Sequence, residues 1–194
     1  MEAETSEEII AATKRALCEY GYADLTIQRI ADEASMTTAA IHYHFDTKQD
    51  LLNAFLEELI DGFEERLHCE AGDPRQRLGV FLDSIFVPAE ENSNDFPIAL
   101  MELKAQAPYQ DTYREHLLEL DERMRTVVTS AVQDGIDEGY FEETDPEILA
   151  RLVVTTINGG HARGVALGED PIKTRRVIED YLEARLGWTP EGAE

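Results

Sequence analysis

Apolar residues recur at helical spacing along most of the chain, and no stretch alternates between apolar and polar residues as a half-buried strand would. Proline and glycine punctuate the pattern: Gly21 is placed to end the first helix, while Asp145-Pro146 and Pro171 are placed to open the last two. The pattern predicts an all-α protein. Its helices are predicted near 6–21, 26–33, 38–45, 47–68, 75–86, 96–106, 111–139, 146–167 and 171–186.

The stretch 25–52 has the most distinctive arrangement. Thr26 precedes a short apolar-periodic run and suits the N-cap of a helix. The segment Ala34-Ser35-Met36 interrupts the period, and Thr37 can cap a second short helix. Two helices of about eight residues separated by three or four are typical of a helix-turn-helix.

Residues 9–52 resemble the N-terminal DNA-binding domain of the TetR (tetracycline repressor-like) family of transcription regulators. The resemblance is carried by Ala16, Gly21-Tyr22, Leu25-Thr26-Ile27, Ile30-Ala31, Ala34-Ser35-Met36-Thr37, Ile41-His42-Tyr43-His44-Phe45, Lys48 and Leu51-Leu52. Two positions depart from the family pattern, which often has Gly or Pro where this chain has Ala39 and an aromatic residue where it has His42. These departures leave the fold intact and affect only which side chains touch DNA.

The resemblance implies a three-helix DNA-binding domain over 1–47 and a six-helix effector-binding and dimerisation domain over 48–194. It also implies that the protein is a repressor that binds a palindromic operator as a homodimer. A small-molecule effector that shifts the fourth helix would release it from DNA. Two recognition helices about one DNA turn apart would read the palindrome.

The recognition helix of a helix-turn-helix lies in the major groove. Glutamine can bond adenine bidentately, while Thr, His and Tyr can bond bases or phosphates, and Arg and Lys suit phosphates. The residues predicted to bind DNA are Thr26, Gln28, Arg29, Thr37, Thr38, His42, Tyr43 and Lys48.

Gly160 and Gly164 lie one turn apart inside the predicted eighth helix, where each glycine costs about 1 kcal/mol. Their use is close approach of another helix, either from the same chain or from a second copy. The resemblance favours the second copy. The predicted dimer interface comprises Ile157, Gly160, Gly164, Ile178, Tyr181 and Leu182.

An effector pocket is expected among helices four to eight. Its predicted walls are Phe81, Phe86, Phe96, Met101, Tyr109, Tyr113, Asn158 and His161. Burial in an ordinary helical core is the simpler interpretation of each of these residues taken singly, and the pocket is the alternative.

The net charge of −24 is unusual for a DNA-binding protein, because residues 1–46 hold nine Asp/Glu against three Lys/Arg. The acid is dispersed and Lys is scarce, with 4 Lys against 13 Arg, which predicts a halophilic origin. At molar salt the Debye length is about 3 Å, so repulsion from phosphates is screened. A surface that merely confers solubility is the simpler explanation of the charge. The acidity of the predicted DNA-binding domain also motivates an alternative function, an acidic helical protein-interaction module without DNA binding.

No catalytic motif, cofactor loop or metal site is predicted. His42 and His44 would point about 200° apart on a helix and cannot share an ion. Cys18 and Cys69 lack metal or redox spacing and are interpreted as small apolar residues. No apolar run reaches the ~18 residues of a membrane span, and the acidic start is unlike a signal peptide. We therefore expect a cytoplasmic regulator that is not an enzyme.

Overall fold

The computed structural model describes residues 2–67, 72–87 and 96–189, with side chains other than those of 2–3 and 64–67. Within these ranges the chain forms nine helices and no strand, which confirms the predicted all-α class. The helices are α1 (Glu2–Asp24), α2 (Ile27–Glu33), α3 (Thr38–His44), α4 (Lys48–Leu67), α5 (Pro74–Phe86), α6 (Phe96–Gln106), α7 (Asp111–Asp137), α8 (Pro146–Leu167) and α9 (Pro171–Leu186).

The helices group into two compact units, each with its own apolar core. The first unit comprises Met1–Gly62 with Asn92–Glu119, and the second comprises Phe63–Glu91 with Leu120–Glu194. The units follow helix packing, since α6 lies against α1 and so joins the first unit. The division into domains at 47/48 is a different partition and stays a prediction.

The core of the first unit is built by α1 to α4 with contributions from α6 and α7. Burial of these apolar side chains, at about 25 cal/mol per Å², holds the short helices α2 and α3, which would be marginal alone. Its buried members include Ile9, Ala16, Leu17, Leu25, Ile30, Ile41, Leu51, Leu52, Leu103 and Tyr113. Thr13 lies on the buried face of α1, and its hydroxyl donates its proton to the Ile9 carbonyl at 2.8 Å.

The core of the second unit joins α5, α8 and α9 to the later part of α7. Its buried members include Phe63, Leu78, Phe81, Val128, Val153, Ile178, Leu182 and Trp188. Arg175, whose side chain is only 16% exposed, pairs with Asp83 at 2.8 Å and with Glu179 at 2.7 Å, and these two carboxylates satisfy its charge.

The structure corrects the predicted start of the first helix and confirms its interruption at Gly21. The helix begins at Glu2 rather than near residue 6, and the acidic residues of its first turns interact favourably with the positive end of the helix dipole. Gly21 interrupts the helix as predicted, with φ 72° and ψ 168°, and helical residues resume beyond it as far as Asp24. This conformation is open to glycine alone, because a side chain would clash with the backbone.

Beyond the last predicted helix, which ends at 186, the polar sequence 188–194 predicts a loose tail, and for Trp188 this prediction is wrong. Its side chain is 2% exposed, and its indole N–H donates to the Arg75 carbonyl at 2.9 Å. The large apolar ring and its satisfied donor explain the burial. The predicted loop 88–95, the helix end at His68, Cys69 and residues 190–194 lie outside the described residues.

Candidate DNA-binding surface

The helix-turn-helix is closed by hydroxyl caps at both helix starts, as predicted. Thr26 Oγ1 accepts from the Arg29 amide at 3.3 Å, and Thr37 Oγ1 accepts from the Ala40 amide at 3.2 Å. Between the helices, Ser35 adopts φ 54°, and the Met36 amide donates to the Ala31 carbonyl at 2.9 Å. The turn therefore returns the chain with its backbone groups paired, and it fixes the angle between α2 and α3.

Helix α3 buries one residue and presents the rest of its surface outward. Ile41 is 0% exposed and anchors the helix, whereas Tyr43 is 75% exposed. Thr37 and His42 are exposed and Thr38 is half-buried, so all four polar residues predicted here lie at the surface or its edge. The helix sequence TAAIHYH contains no carboxylate. Its outward face is thus neutral in a strongly acidic chain.

Two basic residues belong to this region, Arg29 within α2 and Lys48 at the start of α4, and each rests on a tyrosine ring. Arg29 lies 4.3 Å from the centre of the Tyr20 ring and donates to the Asp24 carbonyl at 2.6 Å. Lys48 Nζ lies 4.7 Å from the centre of the Tyr22 ring and 3.3 Å from the Tyr22 carbonyl oxygen. Both cations keep spare N–H donors for phosphate. Sequence reasoning missed the two tyrosines, because nothing in their spacing reveals which cation they meet.

Gln28 is exposed, but its amide nitrogen donates to Asp32 Oδ1 at 2.8 Å along α2. A base contact by Gln28 would have to break or share this bond. A carboxylate near the predicted DNA-binding residues caps a helix. Asp50 Oδ2 accepts from the Thr47 amide at 3.0 Å at the start of α4. Part of the local acidity is therefore committed to helix ends.

The eight predicted effector residues divide equally between the two units. In the first unit Tyr113 is buried, Tyr109 is 82% exposed, and the Phe96 ring already faces the Lys14 ammonium at 5.4 Å. Burial, then the neighbouring Tyr22 and Asp50, raise the pKa of the Tyr113 phenol well above its usual value. Its hydroxyl lies beside the Tyr22 side chain, but neither this hydroxyl nor Asn53 Oδ1 makes a hydrogen bond of good geometry among the described residues. Met101 is half-buried.

In the second unit, Phe81 belongs to the core with 1% exposure, and Phe86 packs against that core. Asn158 donates its side-chain amide to the Val154 carbonyl at 3.1 Å, one turn back along α8. His161 is half-buried on the same helix. The effector pocket among these eight residues therefore stays a prediction.

The six predicted dimer-interface residues are also partly used within the subunit. Ile157, Ile178 and Leu182 are buried in the second core, and Tyr181 packs against it. A Cβ added at Gly160 would lie 2.3 Å from the Thr174 hydroxyl oxygen of α9, so this glycine serves close packing inside the chain. At Gly164 the nearest atom is the Glu169 carbonyl oxygen at 3.4 Å. The dimer interface stays a prediction.

Within the described part of the chain, no three His, Cys, Asp or Glu side chains come together as a metal site, and no helix is long and apolar enough to cross a membrane.

Sequence models of two known domains match the chain in tandem. The model described as bacterial regulatory proteins, tetR family, matches residues 9–55. The model described as BetI-type transcriptional repressor, C-terminal, matches residues 74–187. The two matches cover the helix-turn-helix and most of the remaining helices.

Three relatives illustrate the similarity over nearly full length. The HTH-type transcriptional regulator BetI of Stenotrophomonas maltophilia (strain R551-3) is 31% identical over 93% of this chain and 92% of that protein. The crystal structure of a TetR transcription regulator from Haloarcula marismortui ATCC 43049 has a TM-score of 0.89 at 42% identity, covering 95% of this chain and 99% of that one. A transcriptional regulator from Saccharomonospora viridis, solved in complex with choline, has a TM-score of 0.84 at 21% identity, covering 95% and 98%.

Proposed function

The chain belongs to the TetR family of transcription regulators, which are not enzymes, and from this premise we propose that it is a repressor that binds a palindromic operator as a homodimer and is released by a small molecule. The observation that carries the proposal is the neutral outward face of α3, presented by a helix pair with both caps in place. The alternative, an acidic interaction module, would have no reason to keep this face free of carboxylates. Action on DNA would place the protein in the cytoplasm.

On DNA, α3 would enter the major groove with Thr37 and Thr38 at its leading end. Exposed Tyr43 and His42 would meet bases or nearby phosphates. Arg29 and Lys48 would bind phosphates on either side, with Lys48 at the first residue of α4, where free N–H groups also attract anions. Thr26 would contact phosphate while it caps α2, and Gln28 would reach a base by exchanging its Asp32 partner.

We place the partner subunit on α8 and α9, as the predicted interface requires. Since Ile157, Ile178 and Leu182 are buried within the subunit, they would support that surface from behind. The outward positions next to them would make the contact. These include Leu152, 38% exposed, and Val177, 59% exposed. Gly159 is exposed in mid-helix with no heavy atom of its own chain within 4 Å of an added Cβ, which suits the approach of a second copy.

For the effector, we propose a small quaternary ammonium compound of the choline type. The support is the BetI-type C-terminal domain together with the choline complex of the Saccharomonospora viridis regulator. Aromatic faces bind such cations through their negative quadrupole, and this chain offers several on the predicted list. The buried hydroxyl of Tyr113, which makes no hydrogen bond of good geometry within the chain, could bond the polar end of the ligand. Phe96 is a weaker candidate because Lys14 already occupies one face.

The halophilic origin also belongs to the proposal. The dispersed charge of −24 and the similarity to the Haloarcula marismortui regulator support it. In such a setting salt would screen repulsion between acid and phosphate, and close contacts from α3 would provide the affinity.

The test is fluorescence anisotropy of the purified protein on DNA from its own promoter region, with scrambled DNA as control, from about 0.1 to about 3 M KCl. We expect binding specific for the promoter DNA that survives molar salt. Absence of specific binding at every salt concentration, by a protein shown to be folded, would favour the acidic interaction module.

A second arm tests the effector on the preformed complex. Choline is expected to release the DNA, whereas ethanolamine, which keeps the hydroxyl but lacks the quaternary nitrogen, is expected to release far less. Specific DNA binding that neither compound affects would refute the effector class and leave the regulator standing.

A further inference from the structure

A carboxylate from α6 meets the backbone at the end of α1. Glu102 Oε2 accepts a hydrogen bond from the Tyr22 amide at 2.6 Å, across 80 residues of sequence. The non-helical ψ of 168° at Gly21 turns this N–H away from the helical ladder. A partly buried N–H without a helical acceptor needs another partner, and Glu102 provides it.

The contact is tight at Gly21, so that a side chain there would have to displace the Glu102 carboxylate. A Cβ added there would lie 3.1 and 3.2 Å from the two carboxylate oxygens of Glu102. The backbone angles at Gly21, φ 72° and ψ 168°, are also accessible essentially to glycine alone. The contact therefore depends both on glycine at position 21 and on the Glu102 carboxylate of α6.

Tyr22 also connects the contact between Gly21 and Glu102 to the start of α4. Its carbonyl oxygen accepts from Lys48 Nζ at 3.3 Å, and its ring lies 4.7 Å below the same ammonium group. The chain leaves α1 at Asp24, forms α2 and α3, and enters α4 at Lys48. The helices α2 and α3, which would read DNA, thus lie in the chain between the end of α1 and the start of α4. Tyr22 contacts Glu102 at the end of α1 and Lys48 at the start of α4.

We propose that Glu102 is a positioning residue for DNA binding, because its carboxylate fixes from α6 the direction in which α1 leads into α2. The inference rests on the proposed DNA-binding function. A charged acceptor at 2.6 Å is stronger and more direction-dependent than a neutral one. Its loss would leave the helix-turn-helix folded but free to change its angle to α1 and α6.

The test compares the variant Glu102→Ala with a matched control, Glu115→Ala. Glu115 is an exposed glutamate on α7 in the same unit. Both variants remove one negative charge, which alone should strengthen DNA binding by weakening repulsion from phosphates. Glu102→Gln, which keeps a neutral acceptor of the same size, is the milder third variant. Promoter DNA affinity is measured at fixed KCl, and amide hydrogen exchange is followed in α2, α3 and α9.

Glu102→Ala is expected to bind DNA about tenfold more weakly than Glu115→Ala, with Glu102→Gln between them. Amides of α2 and α3 should exchange faster while those of α9 do not change. Equal affinity of the two alanine variants, or faster exchange spread equally to α9, would overturn the proposal and leave Glu102 a general stabilising contact.

The exchange data also separate this inference from the proposed function. If the wild-type protein binds no promoter DNA, the proposed function fails, and exchange alone then decides whether Glu102 positions the helix-turn-helix. Faster exchange confined to α2 and α3 in Glu102→Ala would still support positioning, and unchanged exchange there would refute it.

Discussion

Arg29 and Lys48 rest on tyrosine rings, and this choice of partner has an electrostatic consequence. An ion pair with a carboxylate would neutralise the cation, whereas the faces of Tyr20 and Tyr22 orient it and leave its full positive charge in place. In a chain with 41 acidic residues, many carboxylates compete for each basic group. The two tyrosines therefore preserve positive charge on α2 and at the start of α4, where phosphate is expected.

At the residue scale, the cap at Thr37 can be tested by substitution. Thr37→Ala is expected to lower the free energy of unfolding by about 1 kcal/mol, because the Ala40 amide loses its acceptor. Thr37→Ser keeps a hydroxyl and should remain close to wild type. Urea unfolding followed by circular dichroism measures both variants, and equal stability of Thr37→Ala and Thr37→Ser would contradict the capping role.

The order of DNA affinities offers a second check on Thr37. If the residue only caps α3, Thr37→Ser should bind promoter DNA like wild type. If its methyl group also meets a base, as a Thr methyl can meet thymine, Thr37→Ser should keep stability and lose affinity.

At the element scale, two adjacent glycines of α8 have different surroundings. Gly160→Ala places a methyl group 2.3 Å from the Thr174 hydroxyl oxygen and should destabilise the fold by about 1–3 kcal/mol. Gly159→Ala meets no atom of its own chain and should stabilise an isolated subunit by about 1 kcal/mol through helix propensity. Thermal unfolding of the two variants compares them directly.

Sedimentation of the same variants tests the proposed dimer. If Gly159 faces a second copy, Gly159→Ala should weaken self-association although it favours the helix. Unchanged association together with a stabilised fold would show that Gly159 lies outside the interface.

The C-terminal segment after α9 is held in place by Trp188. Trp188 fills the second core and bonds the Arg75 carbonyl, while Arg75 lies 4.4 Å from the Tyr140 ring centre. Trp188→Phe keeps an aromatic ring and loses the indole donor, so it should lower the free energy of unfolding by about 1–3 kcal/mol. Trp188→Ala should cost more, about 3–5 kcal/mol, because it leaves a cavity.

Circular dichroism must follow this unfolding, since Trp188 is the single tryptophan and fluorescence is lost with it. Wild-type stability in Trp188→Ala would mean that the segment does not contribute to the core.

At the scale of the whole molecule, charge repulsion is the dominant electrostatic feature. A net charge of −24 favours expanded states, and salt relieves that repulsion. The thermal midpoint should therefore rise as KCl increases from about 0.01 to about 1 M, over which the Debye length falls from about 30 to about 3 Å. Sucrose at equal osmolality does not screen charge and serves as the control. A midpoint that responds equally to both would indicate solvent exclusion instead of screening.

The helices, their caps and the helix-turn-helix were determined by local sequence. Thr26, Thr37 and the prolines opening α8 and α9 act on neighbouring backbone, so their roles follow from residue order alone. The family also followed from sequence, because its motif lies within one continuous stretch.

Contacts between distant parts of the chain were decided only by the tertiary structure. Glu102 meets Tyr22 across 80 residues, and Trp188 meets Arg75 across 113. Gly160 and Gly159 look alike in sequence, yet only Gly160 faces Thr174. Such contacts depend on how helices pack, and a periodic apolar pattern specifies a buried face without specifying its neighbour. The helices were therefore predictable from the sequence, and the contacts between distant helices were not.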